Sequence, residues 1–320
     1  MGSVSEFSED TALATFDKLV DEGVINYGAS FPTYHTVDGF EFELRHRPSW
    51  QTKPRIPTDS SASDPKQEPF GPGSDILKSH PSQALAHLSQ THILVLNIYP
   101  SSRPHYLILT LDSFARQDTP LSAPDVRVTW DFLQSLAKPG EYYVMYNCAP
   151  ASGCSRQHKH LQVARRHQQP VSGDGGERAT RLWPDIGIGW REKEEEEVKV
   201  PYRYFLHRFP PTSSSSGRGL SVEYVYHYYA SFLRDCRTAL LGGGSEEEVC
   251  PPHNLILTSE WILMIPRRYP EEESYMELLP NGAGMMGMVS SPRRQILDRW
   301  VQEGPAKVLR MFGLPPEEKT

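Results

Sequence analysis

Three pairs of strand-length apolar runs, each joined by a short turn instead of a helix, limit this fold more than any other feature. Residues 92–99 and 105–111 flank Pro100-Ser101-Ser102-Arg103-Pro104, residues 141–148 and 158–164 flank a Gly- and Ser-rich turn, and residues 253–257 and 261–265 flank a third short turn. Parallel neighbours need a crossover of a dozen or more residues, so these pairs predict antiparallel hairpins. A further strand is predicted at 40–44, and another over 202–209. Helical spacing predicts helices over 11–23 (Leu13, Phe16, Leu19, Val20, with Gly23 past the end), 125–137, 222–241 and 293–311. The expectation is an α+β fold, an antiparallel sheet with packed helices. Residues 48–81 and 165–219 read as loops or insertions. The first is dominated by Pro, Ser and charge, the second by Gly, Pro, Ser and an acidic run at 192–197.

Composition removes several classes of function. A net charge of −7 opposes a nucleic-acid partner, which needs a broad basic face. No apolar stretch approaches the roughly 20 residues that span a bilayer, so no membrane partner is expected. Four irregularly spaced cysteines and no recognisable leader suggest reduced thiols in the cytosol or nucleus. The Gly242-Gly243-Gly244 run is not followed by Lys-Ser or Lys-Thr, so it is no phosphate loop.

The chemistry concentrates in Gln157-His158-Lys159-His160-Leu161-Gln162. On a strand, alternate residues share a face, which places His158, His160 and Gln162 together where a core strand would be apolar. A neutral imidazole is a competent nucleophile, and attack on phosphorus would divide one displacement into two easier ones. Gln162 can donate to a phosphate oxygen but cannot shuttle a proton, which favours transfer over hydrolysis. The preceding turn, Asn147 to Ser155, offers amide, hydroxyl and glycine to cradle phosphate, with the Arg156 cation beside it. By itself, His-x-His on a strand is more often a satisfied pair or a metal site than a nucleophile. A zinc set of Cys148, Cys154, His158 and His160 matches no common ligand spacing.

The stretch Asn147-Cys148-Ala149-Pro150-Ala151-Ser152-Gly153-Cys154-Ser155-Arg156-Gln157-His158-Lys159-His160-Leu161-Gln162 resembles the signature of fungal-type diadenosine tetraphosphate phosphorylases, also called ATP adenylyltransferases. These belong to the histidine-triad superfamily, in the transferase branch shared with galactose-1-phosphate uridylyltransferase. The resemblance extends to Phe42 through Lys53-Pro54, to Leu96-Asn97, and to Asn254 through Thr258, Trp261, Met264 and Pro266-Arg267-Arg268. It implies a histidine-triad-like sheet and one catalytic domain over the whole chain, with an N-terminal part to about residue 170 and a C-terminal part from about 220.

The implied reaction is phosphorolysis of diadenosine tetraphosphate to ATP and ADP through an adenylyl-histidine. His160 would be the nucleophile. Lys53, Asn97, Asn147, Gly153, Cys154, Ser155, Arg156, His158 and Gln162 would contact nucleotide or phosphates, and Thr258, Ser259, Met264 and Arg268 would bind at the other end. The partners are then dinucleoside polyphosphate, ATP, ADP and inorganic phosphate. No tightly bound cofactor or dedicated metal site is expected, only a divalent cation (Mg or similar) carried with the polyphosphate.

The sequence departs from the family pattern at Arg156, usually Gln, at Ile98, usually Lys, and at Ala149, commonly Gly. Those departures leave open a related nucleotidyltransferase or dinucleotide hydrolase with another substrate, or a nucleotide-binding protein without turnover.

Overall fold

A computed structural model describes residues 7–53, 74–76, 81–170, 177–186, 198–210, 220–242 and 250–317. The chain opens with α1 (Glu9–Asp21), capped by the Ser8 hydroxyl on Thr11 N and burying Ala12, Phe16 and Leu19. β1 (Phe31–Val37) and β2 (Phe40–His46) follow as a hairpin, then β3 (Ala84–His87), β4 (His92–Leu96) and β5 (His105–Thr110). Helix α2 (Ala123–Ser135) starts at a capping box in which Ser122 and Asp125 satisfy each other's backbone N–H groups, with Pro124 pre-set in the first turn. The centre is formed by β6 (Tyr142–Cys148) and β7 (His160–Arg165), followed by the small β8 (Gln168–Pro170) and β9 (Glu177–Ala179). After β10 (Phe205–Arg208), α3 (Val222–Leu241) is capped by Ser221 and stopped by Gly242 at φ 73°. The chain ends with β11 (His253–Leu257), β12 (Trp261–Pro266), α4 (Gly282–Met285), β13 (Met288–Ser291), α5 (Arg294–Glu303) and α6 (Pro305–Phe312).

Eight of these strands form one sheet in the order β10-β12-β11-β6-β7-β5-β4-β3, every pair antiparallel. Strands from both ends of the sequence therefore meet at the β6–β11 ladder. β1, β2 and β13 make a separate sheet in which β13 runs parallel to β2. The two faces of the large sheet differ. One is mostly apolar: Leu94, Tyr106, Val144, Val163, Leu255 and Met264 pack there against α1, α2 and α3. The other holds two separate apolar clusters. Leu107, Leu109, Ile93, Val95 and Ile76 form one. Tyr143, Met145, Ile256, Leu263 and Ile265 form the other with β2 and α4 through α6. Between them β5 contributes His105 and β7 contributes His160 and Gln162, and the site lies in that gap.

The α+β antiparallel expectation holds, with some differences in its elements. The single helix expected over 293–311 is two, because Gly304 takes φ 86° and Pro305 then begins a new helix. The returning strand expected from 158 begins at 160, since residue 158 forms only an isolated bridge with Arg116. β1, β3 and β13 were not expected. β1 is exposed at its first four residues and so lacks the apolar alternation that marks a half-buried strand. Within 48–81, Pro48–Trp50 and Pro81–Gln83 are single 3₁₀ turns, and 54–73 and 77–80 lie outside the described residues. Within 165–219, β8 and β9 join the expected strand near 202–209, and the acidic run at 192–197 lies outside the described residues. No helix among the described residues is long and apolar enough to cross a membrane.

Candidate active site

The site is built where β6 and β7 part. They pair from Tyr142↔Arg165 to Met145↔Gln162, and beyond that rung the side chain of Gln117 takes over the ladder. Its Nε2 donates to Asn147 O (3.0 Å) and His160 O (3.1 Å), and its Oε1 accepts from His160 N (2.8 Å). One buried amide thus replaces the missing strand pairing and fixes the backbone of residue 160.

His160 is 5 % exposed. Its Nδ1 donates to His158 O at 2.8 Å, which sets the tautomer and leaves Nε2 with a free lone pair. Burial is the main cause that holds its pKa down to about 4, so the ring is neutral near pH 7. Neither histidine ring lines the cavity that Gln162 and His105 line, and His158 is held differently. Its ring is held between Thr110 Oγ1 (3.0 Å) and Ser74 Oγ (2.7 Å), and its backbone N–H donates to Asp75. It acts on His160 through its carbonyl.

Gln162 and a second buried histidine, His105, face the same side. His105 Nδ1 accepts from Ser101 N at 3.0 Å, while burial lowers its pKa to about 3. With Asn97, Tyr99, Tyr143, Gly153, Asn281 and Gly284 they line a cavity of about 540 Å³. Lys53 enters the same cavity, its ammonium 4.1 Å from the Trp50 ring. Burial, with Arg156 and Arg47 nearby, lowers its pKa to about 8. Among the described residues neither Lys53 nor Arg156 has a carboxylate within ion-pair distance. A pocket that holds an unneutralised lysine, with Arg156 nearby, suits a polyanion.

The turn from Asn147 to Ser155 is held by its own side chains. Asn147 Oδ1 accepts from Gly282 N (2.9 Å) and Asn254 Nδ2 (2.8 Å), so it docks α4 as well as facing the site. Gly153 has φ 77°, and a Cβ there would lie 2.6 Å from Pro280 O. Cys154 and Ser155 are half-buried, and burial pushes the Cys154 thiol up to about 12, away from any thiolate role.

The C-terminal candidates do not converge here. Thr258 and Ser259 form the β11–β12 turn at the opposite end of the strands, roughly 14 Å along β11 from Asn254 at about 3.4 Å per residue. Thr258 Oγ1 there accepts from Glu260 N and Trp261 N. Met264 is fully buried on the helix-packed face, the wrong side of the sheet for the cavity. Arg268 lines a separate surface cavity of about 250 Å³ and donates to Gly313 O. Its neighbour Arg267 is the residue wired to the site. It is fully buried and donates to Ser152 O, Asn254 Oδ1, Pro280 O and Phe312 O. Cys148 points to the helix-packed face, so the set Cys148, Cys154, His158 and His160 does not assemble. His105, Gln117, Asn254, Arg267 and Asn281 were assigned no site role from the sequence. Asn254 alone carried a local signal, a polar residue at an inward position of an apolar strand.

Two family models cover most of this architecture. Residues 29–172 match the Ap4A phosphorylase N-terminal domain, and residues 198–315 match the ATP adenylyltransferase C-terminal domain. The chain belongs to the Ap4A phosphorylase family. Among its relatives, diadenosine 5',5'''-P1,P4-tetraphosphate phosphorylase 2 of Saccharomyces cerevisiae is 25% identical over 223 residues, 66% of this chain and 65% of the relative. Protein APA1 of the same yeast is 24% identical over 260 residues, 80% of this chain and 77% of that protein. The crystal structure of yeast Ap4A phosphorylase Apa2 in complex with Ap4A superimposes with a TM-score of 0.71 at 19% identity, covering 98% of this chain and 100% of that one. The same enzyme in complex with AMP gives 0.70 over the same shares. The fold is therefore that of an Ap4A phosphorylase, histidine-triad-like, and the chain is a member of a nucleotidyltransferase family. Within it, Ala149 stands at φ 69° and ψ 160°, a conformation that glycine adopts without cost and alanine does not.

Proposed function

We propose that this enzyme cleaves diadenosine tetraphosphate with inorganic phosphate, giving ATP and ADP through an adenylyl group carried on His160. The observation that carries the proposal is the Nδ1 hydrogen bond from His160 to the His158 carbonyl, which aims a neutral Nε2 lone pair from a buried strand. Nε2 attacks the α-phosphorus. A P–N bond forms, the bond from that phosphorus to its bridging oxygen breaks, and ATP departs. The imidazole positive charge that develops is shared with the His158 carbonyl. A phosphate oxygen then attacks the same phosphorus, the P–N bond breaks, and ADP leaves with Nε2 restored. Lys53 and Arg156 balance charge on the phosphate chain, and the Gln162 amide donates to the reacting phosphoryl oxygen. Asn147 and Gly153 shape the turn against the start of α4. A divalent cation such as Mg enters with the polyphosphate as part of the substrate, without a tightly bound cofactor. The cytosol or nucleus, where the thiols stay reduced and these nucleotides occur, is the setting this chemistry fits.

The test is incubation with diadenosine tetraphosphate, with and without phosphate, following products and intact protein mass. Phosphate-dependent ATP plus ADP is expected, together with an adenylylated species. His160→Ala should form no such species and lose turnover by about 10⁴-fold or more. AMP released equally without phosphate would make the enzyme a hydrolase, and tight binding without turnover would sink the proposal.

A further inference from the structure

On the helix-packed face, directly behind Asn147, three side chains that ligate soft metals converge. Cys148 ends β6, His253 begins β11 and pairs with it in register, and Cys250 lies in the segment that leads into β11. Their ligand atoms all lie within 4.8 Å of one another, and the two sulfurs are 3.5 Å apart. A tetrahedral zinc ion with Zn–S of about 2.3 Å holds two sulfurs about 3.8 Å apart, so the thiol pair already has the bite of that site. It is far from the roughly 2.05 Å of a disulfide.

The histidine supplies the second argument. His253 is fully buried, and its Nδ1 donates to Pro251 O at 2.7 Å. That bond places the lone pair on Nε2, and Nε2 is buried with no hydrogen-bond partner. A buried acceptor left unmatched costs about 1–3 kcal/mol. Metal-ligating histidines are oriented by this same kind of bond from the other ring nitrogen to a carbonyl.

We propose that Cys148, Cys250 and His253 form a zinc site of three protein ligands, with a water as the fourth. Two sulfurs and an imidazole select zinc over magnesium, calcium or manganese, which prefer oxygen. Cys148 is fully buried and Cys250 half-exposed, so the ion enters from the Cys250 side, where the water also sits. Each thiol that ligates releases its proton to solvent, and His253 donates its lone pair without losing one. The site is structural for the reaction. It lies on the opposite face of the sheet from His160 and clamps the end of β6, where the Asn147 turn begins, to the segment entering β11.

The experiment titrates the reduced, chelator-treated full chain with Co²⁺ and then Zn²⁺. The expected result is a thiolate-to-cobalt charge-transfer band with tetrahedral d–d bands, saturating at a one-to-one ratio and bleached by Zn²⁺. Cys250→Ser should weaken Zn²⁺ binding beyond the roughly 10–100-fold that even outer-shell changes cost, and His253→Gln should do the same. Zn²⁺ should raise the melting temperature of the parent and of Cys236→Ser but not of Cys250→Ser. Equal melting of metal-free parent and metal-free Cys250→Ser shows that the lost band is not unfolding. If Cys250→Ser does not fold, His253→Gln decides. No thiolate band in the parent, a band that persists in both ligand variants, or a parent that loses two hydrogens in mass as a disulfide forms instead of taking up metal would each overturn the proposal.

Discussion

The two faces of the eight-stranded sheet use the same strands in opposite ways. Toward α1, α2 and α3, the inward residues of β6, β7 and β11 include Val144, Val163 and Leu255, held by packing alone. Toward the cavity the same strands present Asn147, His160, Gln162 and Asn254, polar groups that must be hydrogen-bonded once buried. Their partners come from far along the chain: Gln117, Arg267 and Gly282. An apolar face tolerates exchange of one hydrophobe for another of similar volume, at a cost usually below about 1.5 kcal/mol. A buried polar face has no such latitude, because each lost partner leaves another group unsatisfied.

The largest effect expected from this contrast is at Arg267. Removing its side chain in Arg267→Ala orphans the Pro280 carbonyl and Asn254 Oδ1, takes one of two donors from Ser152 O and Phe312 O, and should cost about 3 kcal/mol in urea unfolding. Arg268→Ala, one residue on and half-exposed, should stay within about 0.5 kcal/mol. Equal losses at the two positions would show that Arg267 is not the member of the pair that holds the cavity face.

Next comes Gln117→Ala, which strips His160 N, His160 O and Asn147 O of their partner. A destabilisation of about 2–3 kcal/mol should accompany a fall in kcat of about 10²-fold, since small displacements of a reacting group are that costly. Loss of stability with unchanged kcat would mean that the nucleophile is positioned by β7 alone.

A smaller effect should appear in the pH profile. Lys53 is protonated below about 8 and loses its charge as pH rises through that value, so affinity for the polyphosphate should fall by about tenfold per unit above it. On the acid side, His160 stays neutral down to about 4, so no falling limb belongs between pH 5 and 7. Lys53→Arg keeps its charge at high pH and should move the alkaline limb upward. Identical kcat/KM profiles for parent and variant would remove Lys53 from phosphate binding.

The contrast between faces also explains what could be read in the sequence. The hairpins and most helices were legible because apolar periodicity writes packing directly into neighbouring residues. The His158 to Gln162 run was legible for the same reason, since polar residues interrupt a strand period there. What could not be read is the wiring between distant segments. Nothing around Gln117 marks it as the amide that bridges β6 and β7, and Arg267 and Arg268 are indistinguishable until β12 decides which one turns inward. Met264 shows the converse error. The family resemblance suggested a substrate contact, but strand parity from the buried Leu263 and Ile265 puts its side chain with the helices.

The smallest predicted effect concerns Ala149, where the polar face begins. Its φ of 69° with ψ of 160° lies in a region that only glycine adopts freely, and such strain costs on the order of 1–3 kcal/mol. Ala149 N donates to Gln117 O, and Ala149 O accepts from Ser152, so the turn is tied down on both sides and the residue cannot relax. Glycine would relieve the strain but also gain entropy in the unfolded chain, which opposes the benefit by about 0.4–1 kcal/mol. The net expectation for Ala149→Gly is a gain of about 1 kcal/mol in urea unfolding, with kcat changed less than about twofold because no side-chain contact to the cavity is lost. A destabilised Ala149→Gly would mean that the backbone there is not strained, and that the turn is held by the alanine's restricted freedom instead of against it.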